Sequence, residues 1–124
     1  MMNIAVFCSG KGTNLQAIIE AVKSGDIKAK IKLVVTNVPD CYALVLARKA
    51  GIETFALDHR GFAAREEFDS KIIAELEKRD IELIVLAGYM RLLSPYFIKT
   101  YENKILNVHP ALLPSFSLLC SVCL

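Results

Sequence analysis

The sequence predicts one α/β domain in which a doubly wound, mostly parallel sheet carries helices on both faces. The 124 residues suffice for a single core, and apolar runs that end in turn residues alternate with segments of helical periodicity. The uninterrupted apolar run LIVLA, residues 83–87, is typical of a strand that is covered on both faces. Since crossovers between parallel strands are right-handed, such alternation builds a Rossmann-like sheet.

Five runs rich in branched and aromatic side chains are predicted to be the strands. In chain order they are residues 3–8, 31–36, 53–57, 83–87 and 105–109. The run at 83–87 is expected to lie centrally, because it has no polar face to present to water. Ligands of such a sheet gather at the carboxyl ends of its strands.

Four helices are predicted to connect these strands. The first repeats apolar residues from Leu15 up to Gly25, and the second ends before Gly51, a residue suited to a left-handed cap. The fourth begins with Ser94 as its N-cap and Pro95 as its first residue. The second, third and fourth are predicted at residues 42–50, 62–79 and 94–101.

Composition and charge exclude several classes of partner. With 15 Lys and Arg against 13 Asp and Glu, and no basic cluster interleaved with aromatic residues, a nucleic-acid partner is not expected. No apolar run approaches the roughly 20 residues that span a bilayer, and the start lacks the pattern of a signal peptide, so a cytoplasmic protein is expected. We therefore expect the cysteines Cys8, Cys41, Cys120 and Cys123 to be reduced, and the single pair Cys120 and Cys123 indicates no metal site.

The loop SGKGTN, residues 9–14, connects the first strand to the first helix. Gly10 and Gly12 permit a tight turn with exposed N–H groups, and the helix N-terminus adds partial positive charge, so the loop is suited to bind phosphate. It matches neither a P-loop, which needs Gly-Lys followed by Ser or Thr, nor the dinucleotide fingerprint, which needs a third glycine. The alternative is a purely structural turn in which Thr13 caps the helix.

Two further segments follow strands at the same edge of the predicted sheet. The apolar residues of GYMRLLSP, 88–95, suit either a flat slot for an aromatic cofactor or simple core packing. In the segment NVHP, Asn107 and His109 lie two apart in a strand and so project from one face. An amide and an imidazole aimed at one point can stabilise an oxyanion and carry a proton, although a histidine satisfied by backbone is the commoner case.

Together, SGKGTNLQAII, LAGYMRLLSP and ILNVHPALLPSF resemble the phosphoribosylglycinamide formyltransferases from Met2 to about Phe116. The resemblance implies the N-terminal part of the formyltransferase fold. It also implies transfer of a formyl group from the co-substrate 10-formyltetrahydrofolate to the amine of glycinamide ribonucleotide, in purine biosynthesis and without a metal.

The resemblance also implies a role for individual residues. Substrate phosphate would be bound by Gly12, Thr13 and Asn14. Folate would be contacted by Arg65, Met90, Arg91, Leu92, Leu93 and Asn107. Asn107 and His109 would be the catalytic pair, with His109 as proton donor.

Two other functions stay open at this point. The elements Asn-x-His-Pro and Leu-Leu-Pro are shared with formyltetrahydrofolate hydrolases, whereas the glycine loop is similar to the glycinamide branch. A noncatalytic, phosphate-binding Rossmann-like module is the alternative from another class.

The resemblance stops near Phe116. Residues 1–116 are expected to form an incomplete N-terminal domain, and residues 117–124 (SLLCSVCL) a divergent tail. The family's orienting aspartate and later strands have no counterpart here. A truncated chain is therefore expected, inactive or nearly so by itself, whose apolar tail frays or mediates self-association.

Overall fold

The computed structural model describes residues 1–10, 12–89 and 92–108, the side chain of His59 excepted. The described strands are β1 (Met2–Cys8), β2 (Ala29–Thr36), β3 (Thr54–Ala56), β4 (Leu83–Leu86) and β5 (Ile105–Asn107). The described helices are α1 (Thr13–Ser24), α2 (Tyr42–Lys49), α3 (Arg65–Glu77) and α4 (Pro95–Thr100), with a 3-10 turn at His59–Gly61.

The strands form one sheet in the order β3-β2-β1-β4-β5, and all four pairings are parallel. Strands β2 and β3 lie on one side of β1, and β4 and β5 lie on the other. The predicted doubly wound sheet is therefore confirmed. The central position belongs to β1 rather than to β4, which lies between β1 and β5 as an interior strand.

Two apolar layers cover the faces of the sheet. On one face, residues such as Leu15 and Ile18 of α1 and Leu44 of α2 are buried against the sheet. On the other face, Phe68 of α3 and Phe97 of α4 are fully buried in a separate cluster. Helices thus lie on both faces, as expected for a sheet whose strands alternate their side chains between two covered surfaces.

The third helix begins three residues later than its apolar spacing predicts, at Arg65 instead of residue 62. The ring of Phe62 packs edge-to-face on Phe68 with the centroids 5.6 Å apart, and Ala64 at the N-cap is extended with φ of −124°. Because Phe62 reaches the core from the preceding loop, its apolar character mimics a helical position. The helix ends at Glu77, and the chain turns through Asp80, whose φ is 53°.

Among the helices of the described residues, none is long and apolar enough to cross a membrane.

Candidate functional site

Strands β1, β4 and β5 end side by side at one edge of the sheet. The N–H of Ala87 donates to the carbonyl of Phe7 at 2.8 Å, and the N–H of Val108 donates to the carbonyl of Leu86 at 2.9 Å. The segments that follow these strands therefore start next to one another. The chain leaves β1 towards β2 but crosses back to β4, so the strand order reverses between β1 and β4. In folds of this kind, ligands bind in a crevice at the carboxyl ends of the strands at this point.

The glycine loop places the uncapped N-terminus of α1 at this crevice. Gly12 is the N-cap, with φ of 82°, and no side-chain cap is found among the described residues. The first helical hydrogen bond runs from Gln16 N–H to the Gly12 carbonyl at 2.8 Å. The N–H groups of the first turn have no acceptor within the helix, and a helix N-terminus of this kind favours an anion. Thr13 is the first helical residue and Gly12 the N-cap, so the alternative in which Thr13 caps the helix is wrong.

Gly12 is required by packing as well as by its backbone conformation. A Cβ at this position would lie 2.8 Å from Leu46 Cδ1 and 3.0 Å from the Cα of Ala43, both on α2. At Gly10, by contrast, a Cβ would meet no atom within 4 Å. The sequence alone indicated only a tight turn, whereas the structure shows that Gly12 lets α1 pack closely on α2.

Asn14 connects the glycine loop with the segment that follows β4. Its side chain is buried, with only 8% of the residue exposed. A Cβ built on Gly88 would lie 3.7 Å from Asn14 Nδ2, so the carboxamide lies beside the backbone of Gly88. The structure therefore brings a predicted phosphate-binding residue next to the start of the predicted folate segment.

A buried polar pair joins the glycine loop to the end of β2. The hydroxyl of Ser9 donates to Asn37 Oδ1, and both residues are buried. A hydrogen bond between buried groups holds the two strand ends in one geometry, because separating them would cost the free energy of that bond. The sequence analysis did not find this pair, since a serine and an asparagine after strands read equally well as exposed turn residues.

In the segment between β4 and α4, some apolar side chains pack on the core and another is exposed to solvent. The ring of Tyr89 packs edge-to-face on Phe7 with centroids 5.2 Å apart, and Leu93 packs against the cluster beneath α3 and α4. Leu92 is 73% exposed. Leu93 thus supports the segment from below, and Leu92 is the described apolar side chain that is open to a ligand. Met90 and Arg91 lie outside the described residues.

Helix α3 carries the predicted folate contact Arg65 and a buried carboxylate that the sequence analysis missed. Arg65 is the exposed first residue of α3. One turn later Asp69 is 1% exposed, and its Oδ2 accepts a hydrogen bond of 2.7 Å from the N–H of Ser94. Ser94 in turn caps α4, as predicted, by accepting from Phe97 N–H at 3.2 Å.

The position of Asn107 is described, whereas that of His109 is not. Asn107 is the last residue of β5, is half-buried, and stands opposite Leu86 in the parallel register. His109 lies outside the described residues, so the shared orientation of the two side chains stays a prediction. The same holds for the predicted tail at 117–124 and for Cys120 and Cys123.

The two described cysteines are free and buried, in agreement with the reduced state expected for them. Burial, and to a lesser degree the neighbouring Cys41, raises the pKa of the Cys8 thiol to about 12. Cys41 Sγ lies 3.3 Å from the hydroxyl oxygen of Thr36. A thiol that stays protonated at neutral pH is a poor nucleophile, so Cys8 belongs to the core.

No group of three or more His, Cys, Asp or Glu residues that could hold a metal is found in the described part of the chain.

The strand order and the parallel pairings define a doubly wound α/β protein, a class whose ligands bind at the carboxyl ends of the strands. Residues 2–118 match the formyl transferase family, and the chain belongs to that family. The resemblance that the three motifs indicated is thereby confirmed.

The chain is 45% identical over 115 residues to the phosphoribosylglycinamide formyltransferase of Escherichia coli (strain K12), covering 93% of the chain and 54% of the relative. It is 49% identical over 115 residues to the trifunctional purine biosynthetic protein adenosine-3 of Gallus gallus, covering 93% of the chain and 12% of the relative. The crystal structure of glycinamide ribonucleotide transformylase 1 from Geobacillus kaustophilus is similar with a TM-score of 0.86 and 42% identity, over 94% of the chain and 62% of that structure. The chain thus spans about half the length of the Escherichia coli relative.

Proposed function

We propose that the chain carries the phosphate site, and part of the formyl-folate site, of a phosphoribosylglycinamide formyltransferase. The observation that carries the proposal is the uncapped N-terminus of α1 at the crevice, with Asn14 of the same turn against Gly88. One end of the crevice thus suits a phosphate, and the segment that starts at Gly88 suits a larger ligand. Relatives with the names given above support this assignment.

The phosphate of glycinamide ribonucleotide would be bound by the first turn of α1. Backbone N–H groups at Gly12, Thr13 and Asn14 are placed to donate, and the 12-residue helix adds its partial positive charge. Since the donors are backbone groups fixed by the packing of Gly12 on α2, their geometry is set before the ligand arrives.

The formyl folate, 10-formyltetrahydrofolate in our proposal, would lie along the segment that ends at Ser94. Leu92 offers exposed apolar surface, and Arg65 at the start of α3 offers a positive charge to the carboxylates of the co-substrate. The remaining predicted contacts, Met90, Arg91 and Leu93, belong to the same segment. We propose no metal, since the co-substrate itself carries the activated carbon. We propose no nucleic-acid partner, since the sequence has no basic cluster interleaved with aromatic residues.

In the proposed reaction the amine of glycinamide ribonucleotide attacks the formyl carbon. The carbonyl oxygen becomes an oxyanion, the bond from that carbon to N10 of the folate breaks, and N10 takes up a proton while the amine loses one. Asn107 at the end of β5 is assigned as an oxyanion donor and His109 as the carrier of the proton. Groups of this kind each contribute factors of roughly 10² to 10⁴ when they are held in position.

Formyl transfer is tested with two proteins, the chain alone and a chimera in which it is joined to the C-terminal half of the Escherichia coli relative. Folate deformylation is followed by absorbance with and without glycinamide ribonucleotide. We expect turnover by the chimera that depends on the ribonucleotide and is abolished by His109→Ala, and little or none by the chain alone. Formate release without the ribonucleotide would favour the hydrolase, and phosphate binding without turnover by the chimera would favour the noncatalytic module.

A further inference from the structure

A buried carboxylate joins the two elements that the proposed function assigns to folate. Asp69 lies in α3 and is 1% exposed, and its Oδ2 accepts the N–H of Ser94 at 2.7 Å, across 25 residues of sequence. Ser94 is itself fully buried, and its hydroxyl is used to cap α4. The backbone N–H of Ser94, at the start of α4, is thus bonded to the carboxylate of Asp69 in α3.

We expect the contact between Asp69 and Ser94 to fix the position of Ser94 more than it adds to the free energy of unfolding. Burying a carboxylate costs free energy that one hydrogen bond only partly offsets, and apolar side chains of similar size are often equally stable or more so. In addition, Asp69 Oδ1 is buried and accepts no hydrogen bond from the described residues. A group retained at such a cost is expected to fix a conformation.

The fixed conformation is that of the described residues at the two ends of the segment, Gly88 and Tyr89 at its start and residues 92–94 at its end. At its start, the N–H of Ala87 is held by Phe7 in the sheet. At its end, Ser94 is held by Asp69. Arg65 stands four residues before Asp69, on the same face of α3. One carboxylate therefore sets the distance between the helix that carries Arg65 and the segment that carries Leu92.

We infer that Asp69 is a positioning residue that holds the segment carrying Leu92 against α3 for binding of the folate co-substrate. The inference rests on the proposed function for the identity of the ligand. The anchoring itself follows from the contact between Asp69 and Ser94. Asp69 lies in α3, on the face of the sheet opposite α1, so the phosphate site is expected to be independent of it.

The test compares Asp69→Ala, Asp69→Asn and the control Ile72→Val in the full 124-residue chain. Ile72 is buried in the same helix, so the control loses core packing without losing the hydrogen bond. Dissociation constants are measured for 5-formyltetrahydrofolate, a stable folate probe, and for glycinamide ribonucleotide, together with amide exchange at residues 92–94.

For Asp69→Ala we expect about tenfold weaker folate binding, unchanged ribonucleotide binding, and at least about tenfold faster exchange of the Ser94 amide, because that N–H loses its acceptor. Asp69→Asn should restore most of both, since its amide oxygen can accept the same N–H. Ile72→Val should leave both dissociation constants unchanged.

Equal weakening of both ligands by Asp69→Ala, or folate weakening of the same size by Ile72→Val, would show a merely structural role and overturn the inference. If the wild-type chain binds the ribonucleotide but no folate, the folate part of the proposed function fails. The exchange measurement then decides the anchoring separately: unchanged exchange at Ser94 in Asp69→Ala overturns it, and faster exchange confined to residues 92–94 supports it.

Discussion

Replacing Gly12 by alanine tests whether the glycine loop is shaped by packing. The new methyl group would lie 2.8 Å from Leu46 Cδ1 and 3.0 Å from the Cα of Ala43, and the backbone φ of 82° is one that alanine avoids. The left-handed backbone costs roughly 1–2 kcal/mol for a residue with a Cβ, and overpacking a core contact costs about 1–3 kcal/mol. We expect Gly12→Ala to lower the free energy of unfolding by roughly 2–5 kcal/mol.

Gly10→Ala is the matched control in the same loop. Gly10 does not have a positive φ, and a Cβ at this position would meet no atom within 4 Å. Its free energy of unfolding should change by less than about 1 kcal/mol, and a small gain is expected where the backbone suits alanine. Urea unfolding of both variants gives the comparison. If Gly12→Ala is as stable as Gly10→Ala, the close approach of α1 to α2 is not a requirement of this loop.

Three further predictions concern Gly88, the ion pairs of Arg79 and the thiol of Cys8. Gly88→Ala should cost only about 1–2 kcal/mol in urea unfolding, because φ is 80° but the nearest atom, Asn14 Nδ2, would be at an ordinary 3.7 Å; a loss as large as that of Gly12→Ala would contradict this. Arg79→Met should lower the free energy of unfolding by about 1 kcal/mol in urea unfolding, since the guanidinium donates to Glu53, the residue before β3, and to Glu75 in the last turn of α3. Glu53→Gln should cost less, because Glu53 is largely exposed. The pKa of Cys8 is raised from its ordinary value of 9.0 to about 12 in the folded chain. As the pH rises, the unfolded chain loses this proton first, so the free energy of unfolding should fall between pH 9 and pH 12, by up to about 1.4 kcal/mol per pH unit. In Cys8→Ala this fall should be shallower, and an equal slope would refute the assignment.

The order of elements could be predicted because strands β1, β2 and β4 and helices α1 and α3 bury apolar surfaces that recur at the spacing of a strand or a helix. The run at 83–87 indicated a strand covered on both faces, and β4 is interior. The start of α3 was misplaced because Phe62 enters the core from a loop, and a single apolar residue does not distinguish a loop from a helical turn.

The candidate site was only partly predictable for a different reason. The glycine loop follows β1 and Asn107 is the last residue of β5, so topology alone brings them to one edge of the sheet. Asp69 is held by a backbone N–H from a distant segment, and no local pattern encodes that contact. Its place one turn before Ile72 and Ile73, on the buried face of α3, was the available signal, because a charged residue on that face must have a partner.

Above all, we propose that the first turn of α1 binds the phosphate of glycinamide ribonucleotide at the crevice between β1 and β4. The most direct test is a titration of the ¹⁵N-labelled chain with glycinamide ribonucleotide and, separately, with the riboside that lacks the phosphate. We predict saturable shifts of the amides of Thr13, Asn14 and Gly88 with the ribonucleotide, and none at Thr13 and Asn14 with the riboside. Equal shifts with both compounds, or saturable shifts that leave the first turn of α1 untouched, would contradict the account.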